Sequence, residues 1–311
     1  MSEISVTDEY SRLTEGDMIR LHDNSLWVIK GCYHPFRGVV AILRVFEGRK
    51  IKRLSDAYVI MSRYYRHYLR FLPELGKVVP VVPHYEVSDY LISLRFVKEL
   101  RRDLSYLHNA ALDLIELLYS HGLECGLSGS LLGGYYGRDS DIDLVCIERS
   151  SNSYEVLKEL RNSRLTEHLS LNDALEEVSS VGELVPIHHH VKILQRKLTQ
   201  GRFKRIKYTL RVLNCDEEKK FLGPYDTTLE ELVMIKLITT THKTPAIYRA
   251  NLLRPQLTQD VDAYLISYRA RLTELPEGTI IFGKGLIHLR YRDKLLLVDF
   301  DTPNSSLEFI T

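Results

Sequence analysis

Four residues stand out for the chemistry their types and spacing allow: Gly129 and Ser130, then Asp141 and Asp143, within CGLSGSLLGGYYGRDSDIDLVCI. A glycine followed by a small hydroxyl residue at a strand-to-helix turn lets backbone N–H groups come close to a phosphate. On an extended strand residues two apart share a face, so Asp141 and Asp143 point together while Ile142 and Leu144 face a core. Two convergent carboxylates offer hard oxygen ligands of the kind that suit Mg or Mn. Such a site would align a triphosphate with an attacking hydroxyl for in-line transfer. The bland alternative is a surface loop carrying a solvated Asp pair after a turn.

The elements that must position these residues are legible on both sides. Leu100, Leu104, Leu107, Ala111, Leu114 and Leu118 repeat at helical spacing, which predicts a helix that Gly122 stops. LECGLSG then reads as a short strand and DIDLVCI as a second, rich in aliphatic side chains. Asn152 with Glu155 three positions on predicts a capped helix through YEVLKELRN.

Further out, MIRLHD, LWVIKG and VVAILRVF read as strands. Asp56 to Phe71 reads as helix, and the two prolines of GKVVPVVPHY demand an extended segment. Beyond Asn162, helical pattern continues to about Gln200 and a strand spans Ile206 to Asn214. TLEELVMIKLITT is expected to be helix, and GTIIFGKGLIHLRYRDKLLLVDFD two or more strands.

The 311 residues suggest two domains, or three small ones. With 44% hydrophobic and 27% charged residues the chain is an ordinary globular sequence, which excludes collagen-like and disordered classes. Lys and Arg (42) nearly cancel Asp and Glu (41), so no global field pulls the chain onto nucleic acid or a membrane. No apolar run is long enough to span a bilayer, and MSEISVTDEYSRLTEGD is acidic where a signal peptide would be basic. Cys32, Cys125, Cys146 and Cys215 lie far apart with no framework spacing, which leads to the expectation of free thiols in a reducing, cytoplasmic setting.

Basic charge is local. Between Lys30 and Arg70 ten basic residues face two acidic ones, and RYYRHYLRF interleaves arginines with Tyr64, Tyr65, Tyr68 and Phe71. Arginines neutralise phosphates and aromatic faces stack on bases, so a nucleic-acid surface is one reading. The other is a helix with tyrosines on the core and solvated arginines. A second run, Lys192 to Arg211, has eight basic residues and no acid. It would bind triphosphate or a nucleic-acid backbone if it lines a cleft, and is a plain solvated face if it does not. His188, His189 and His190 are adjacent, so they do not share a face and do not read as zinc ligands.

On the Gly129–Ser130 turn and the Asp141–Asp143 strand the chain resembles the polymerase-beta-like nucleotidyltransferase superfamily. With QRKLTQGRFKRIKYTLRVL it is similar, more narrowly, to an uncharacterised archaeal group of predicted nucleotidyltransferases. The superfamily resemblance covers about Leu100 to Asn214. It implies a mixed sheet with helices as the nucleotidyltransferase core, and with the strand patterns at either end the expected architecture is α+β or α/β with beta-rich N- and C-terminal units. The expected boundaries are 1–85, 86–222 and 223–311. It also implies Mg-dependent transfer of a nucleoside monophosphate from NTP to a hydroxyl, with nucleic acid as a possible acceptor. Gly129 and Ser130 would be nucleotide-binding; Asp141 and Asp143 would be catalytic and hold metal.

The superfamily usually adds a third carboxylate on a later strand, yet Ile206 to Asn214 contains neither Asp nor Glu. Glu183, Asp216, Asp299 and Asp301 are substitutes that no spacing argument separates. A chain without that acid would hold nucleotide or nucleic acid as a degenerate module of the same fold. A third reading is a regulatory transferase acting on a partner protein.

Overall fold

The computed structural model describes residues 13–96, 105–137, 139–148, 152–181, 187–256, 261–303 and 305–310. It is an α+β protein whose chain divides into two compact units, Met1–Arg70 with Val79–Ser150, and Phe71–Val78 with Ser151–Thr311. The expected core range 86–222 therefore contributes to both.

The first unit opens with β1 (Met18–Leu21), β2 (Leu26–Ile29), β3 (Gly38–Phe46) and β4 (Arg49–Lys50), then α1 (Leu54–Tyr64). β5 (Leu69–Leu72), β6 (Lys77–Pro83) and β7 (Val87–Leu91) complete a sheet of order β5-β6-β3-β2-β1-β7, with β4 paired to β3. The polar turn Asp23-Asn24-Ser25 works because Asn24 takes φ 65°, which Asn tolerates, and Asp23 Oδ1 accepts from Ser25 N at 2.8 Å. α1 is shorter than its sequence pattern suggests. Tyr65 ends it, and Tyr65 and Tyr68 are buried against Trp27, with ring centroids at 5.1 and 5.8 Å. Ring packing has won over helix continuation here.

α2 (Ser93–Phe96) and α3 (Tyr106–Ser120) follow. Leu100 and Leu104 of the expected long helix lie outside the described residues. From Ser105, whose Oγ accepts from His108 N at 3.2 Å, the helix is as expected, burying Ala111, Leu114 and Leu118. Gly122 then turns the chain at φ 86°, where a side chain would be strained.

β8 (Leu123–Leu127), α4 (Gly129–Gly133) and β9 (Ile142–Glu148) form the segment that carries the candidate site. β8 and β9 are antiparallel, with Cys125 opposite Cys146 and Leu127 opposite Leu144. That register joins Cys125 and Cys146 in a disulfide, Cα atoms 4.1 Å apart, which corrects the expectation of free thiols. The two cysteines are 21 positions apart, and only strand pairing makes them neighbours.

The second unit has α5 (Ser153–Asn162), α6 (Leu171–Val181) and α7 (Ile187–Arg196), the hairpin β10 (Gln200–Phe203) and β11 (Ile206–Leu213), and α8 (Cys215–Lys220). Asn152 caps α5 as expected, its Oδ1 accepting from Tyr154 N at 3.0 Å. The remaining strands are β12 (Thr227–Leu237), β13 (Lys243–Thr244), β14 (Ala246–Arg254), β15 (Asp262–Ser267), β16 (Ile280–Arg290), β17 (Leu295–Asp299) and β18 (Ser306–Ile310).

β12 corrects the expected helix over TLEELVMIKLITT. Val233, Ile235 and Leu237 are buried at alternate positions while Lys236 is exposed, the period of a strand. β12 pairs with β16 along its length and with β14 through its last residues. The pairing closes β12, β14, β15, β17 and β16 into a small barrel, with β18 added to β16. Its interior is apolar, with Tyr248, Leu265, Ile281, Val298 and Phe300 at or near 0% exposure. At about 1.5–3 kcal/mol per large apolar side chain, this pattern outweighs the helical propensity of Leu, Glu and Lys in β12.

Candidate functional site

The site is built from the β8–α4–β9 segment outward. Ser128 follows β8 and is held twice: its N–H donates to Asp143 O at 2.8 Å, and its Oγ to Gly16 O at 2.7 Å. Gly129 follows at φ 57°. A β-carbon there would fall 2.1 Å from Asp143 Oδ2, so the bare backbone of the turn lies directly against that carboxylate. The structure thus brings Gly129 and Asp143 together.

Ser130 is buried, and its Oγ has no hydrogen-bond partner among the described residues. A buried hydroxyl normally finds one, so this atom is available to a ligand group. α4 is only five residues long and stops at Gly134, which is left-handed at φ 73°. The turn itself, rather than a long helix, is what meets Asp143.

Asp141 and Asp143 flank Ile142, which like Leu144 is 0% exposed. Asp143 lies within β9 and Asp141 immediately before it, and both are half-buried.

Among the described residues no group of three His, Cys, Asp or Glu side chains gathers into a metal site. Three of the four substitute acids are engaged elsewhere. Asp216 pairs with Lys219 at 2.9 Å, Asp299 with Lys77 at 2.5 Å, and Asp301 with Arg269 at 3.0 Å. Glu183 lies outside the described residues. His190 of the histidine triple is buried against Phe309, and burial pushes its imidazole down to about 4.

Sequence reasoning missed Asp17. Its carboxylate accepts from Ser93 N at 2.8 Å and Thr14 N at 2.9 Å, and Ser93 Oγ in turn donates to Leu127 O at 2.5 Å. The chain Asp17–Ser93–Leu127 fixes the strand end from which the Ser128–Ser130 turn departs. Burial pushes the Asp17 carboxyl up to about 6, against the opposing pull of its hydrogen bonds to Ser93 and Thr14. No motif marks this residue. A lone Asp before a strand carries no signal in one sequence.

The basic segments divide. Tyr65 and Tyr68 of RYYRHYLRF are core residues, as the bland reading had it. Arg49, Lys50, Lys52, Arg53, Arg63 and Arg66 are exposed. Tyr64 is half exposed beside Phe46, with the Arg63 guanidinium 5.3 Å from its ring centre. Lys50 Nζ sits 5.4 Å from the ring centre of Tyr135, which lies in the loop between Ser130 and Asp141. One end of this basic face therefore touches the site's own loop.

The second run divides: Lys192, Arg196, Lys204 and Arg205 are exposed, while others are engaged within the fold. Arg202 grips Asp173 through two bonds of 2.7 and 2.6 Å, and Lys207 pairs with Glu176 at 3.0 Å. Lys197 is buried, donates to Ala270 O at 2.7 Å, and is pushed down to about 7 by burial. These are structural cations.

Comparison with family models, with curated proteins and with solved structures finds no match. No helix is long and apolar enough to cross a membrane among the described residues.

Proposed function

We propose that the Ser128–Ser130 turn and the Asp141–Asp143 strand form a nucleotidyltransferase site of the polymerase-beta-like kind, which transfers a nucleoside monophosphate from an NTP to an acceptor hydroxyl. The observation that carries this reading is the contact of Gly129 with the Asp143 carboxylate: the phosphate-binding bend and the acid strand are adjacent. The Ser130 hydroxyl, without a hydrogen-bond partner among the described residues, is a second support, since a phosphate oxygen would satisfy it.

The donor set fits a hard divalent cation. Asp141 and Asp143 would hold it, and when bound it would supply charge neutralisation for the triphosphate and for the in-line displacement. The chain's own part is positional. Gly129, bare of a side chain, lets the Asp143 carboxylate lie against the turn, and Ser130 Oγ donates a hydrogen bond to a phosphate oxygen. The acceptor oxygen bonds to the α-phosphorus, the bond to the bridging oxygen breaks, pyrophosphate leaves, and the hydroxyl proton passes to solvent. The exposed basic face that reaches Tyr135 through Lys50 supports nucleic acid as the acceptor class.

A second reading has one specific observation behind it: no third acid joins the pair among the described residues. On that reading the site holds nucleotide without turning it over.

Incubation with labelled NTPs, Mg or Mn and a pool of RNA, repeated with Asp141→Asn and Asp143→Asn, tests the first reading. Product formation abolished by either change supports it, and activity indifferent to both removes the assigned site. Calorimetry showing nucleotide bound but no pyrophosphate released with any acceptor favours the second.

A further inference from the structure

The barrel of the second unit has an order that its register fixes completely. Counting β12, β14, β15, β16 and β17 as strands one to five, the ring runs one-two-three-five-four and back to one. Every pairing in it is antiparallel except β15 with β17, strands three and five, which is parallel. Strand one is long enough to serve both neighbours, pairing with β16 from Thr227 to Lys236 and with β14 from Met234 to Leu237. The connection between strands three and four plugs the interior with Leu272 and Leu275, tied there by Tyr248, whose OH donates to Leu272 O at 2.6 Å and accepts from Leu275 N at 3.1 Å. A five-stranded Greek-key barrel of this order is the oligonucleotide- or oligosaccharide-binding architecture, which uses the outer face of strands two and three and the loop between four and five.

Fold alone does not give function; the chemistry of the face decides it. On β14 the outward residues include Arg249 and Asn251, and Arg249 stands opposite Tyr264 of β15. Lys236 of β12 stands opposite Asn251 on the same outer surface. The four-five loop, Tyr291 to Lys294, adjoins the start of β15, where Asp262 N donates to Lys294 O at 3.0 Å. That loop presents Tyr291 at 59% exposure together with exposed Arg292 and Lys294. Arg254 adds one more exposed cation at the end of β14.

Among the described residues the acids nearby are already occupied. Asp262 pairs with Arg249 at 3.4 Å, Asp293 is held by buried Arg290 at 2.7 Å, and Asp226 accepts from Tyr291 N at 2.6 Å. The other half of the outer face, around Ile266 and Leu297, is covered by Phe221. Tyr264 packs on Phe221 as well, with ring centroids 4.9 Å apart, so what remains open is a short strip of cations, Lys236, Arg254, Arg292 and Lys294, with the exposed Tyr291 ring at one end. Cations track a phosphate backbone and ring faces take unstacked bases, which a duplex does not offer.

We propose that the outer face of β14 and β15, with the Tyr291–Lys294 loop, binds single-stranded nucleic acid. This assignment is independent of the Asp141–Asp143 site.

The test is fluorescence anisotropy of the full chain with labelled oligo-dT and oligo-U of roughly 16 nucleotides, near the upper site size for one such barrel, against a duplex of equal length and against heparin. Single strands should bind in preference to duplex, with DNA and RNA arms reporting any sugar preference. Tyr291→Ala should weaken binding on the order of tenfold. Arg254→Ala with Lys294→Ala should reduce the slope of log K against log salt by about 0.7 for each phosphate that is no longer neutralised. All three residues are exposed, so thermal melting should be unchanged. Asp141→Asn and Asp143→Asn should leave oligonucleotide binding intact, which separates failure here from failure of the transferase reading. The proposal is overturned by absence of single-strand binding, by equal or tighter binding of duplex or heparin, or by binding that all three surface changes leave untouched.

Discussion

Gly129 and Asp143 are locked to each other: no side chain fits at position 129 while the carboxylate stays where it is, because the first carbon would lie 2.1 Å from Oδ2. The backbone adds a second demand, since φ of 57° costs a non-glycine residue about 1–2 kcal/mol. Gly129→Ala should therefore destabilise the chain by about 2–3 kcal/mol and displace Asp143. The two costs separate in a double-mutant cycle. In an Asp143→Gly background, which also removes the Asp143 β-carbon 2.9 Å away, the same change should cost only the backbone part, about 1–2 kcal/mol, in urea unfolding. Strict additivity of the two substitutions would contradict the contact.

Much of this local arrangement is legible in the sequence because it depends on short-range rules. The aliphatic run after Asp141 signals the strand that carries Asp143, and a Gly-Ser pair after an aliphatic strand signals a turn. What escapes sequence reading depends on partners distant in the chain. Asp17 matters through Ser93, and Cys125 through Cys146, in each case a relationship created by pairing. β12 reads as helix because Leu229, Leu232, Val233 and Leu237 fit a helical repeat as well as Val233, Ile235 and Leu237 fit a strand. Burial in the barrel decides between them, leaving Leu229 and Leu232 exposed. The tyrosines of RYYRHYLRF divide into buried and exposed only once Trp27 is in place.

Asp17 predicts a pH dependence of stability. Its folded pKa of about 6 lies above the ordinary 3.8, so the native state holds the proton more tightly than the unfolded chain does. The associated stability is fully present below pH 3.8 and is lost as pH rises through 6, a change of about 3 kcal/mol across that window. Asp17→Asn lacks the titration. The difference in unfolding free energy between wild type and variant should therefore move against the wild type by about that amount between pH 3.8 and pH 7. A difference that stays flat with pH would place Asp17 in contact with water.

Arg202 and Asp173 test whether the Lys192–Arg211 run is structural. The guanidinium fork holds the Asp173 carboxyl well below the usual carboxylate range, chiefly through its own hydrogen bonds. Arg202→Lys keeps the charge but loses the paired geometry, and should cost about 1–2 kcal/mol; Arg202→Ala, which strands a nearly buried carboxylate, about 3 kcal/mol. Asp173 has its pKa depressed in the fold, so its contribution is present at neutral pH and fades as pH falls below the unfolded carboxylate range. Chemical denaturation should show these losses while nucleotide affinity in calorimetry stays unchanged. A fall in affinity at undiminished stability would return Arg202 to the ligand.

The Cys125–Cys146 bond encloses Gly129, Ser130, Asp141 and Asp143 in a single covalent loop with a sequence separation of 21. Closing a loop of that size removes chain entropy from the unfolded state worth about 3 kcal/mol. The bond spans opposed residues of β8 and β9, so it also limits the fraying of the two strands that deliver the turn and the acids. Cys125→Ala with Cys146→Ala should lower the unfolding free energy by about 3 kcal/mol, with part of the loss arising from the small voids left at two buried positions. Mass spectrometry after alkylation under denaturing, non-reducing conditions should find both thiols protected in the wild type. Ready alkylation of either, or a double variant as stable as the parent, would mean that strand pairing alone holds the turn against Asp143. In that case the site would owe its geometry to the Asp17–Ser93–Leu127 chain, and Asp17→Asn rather than the cysteine pair would be the change that loosens it.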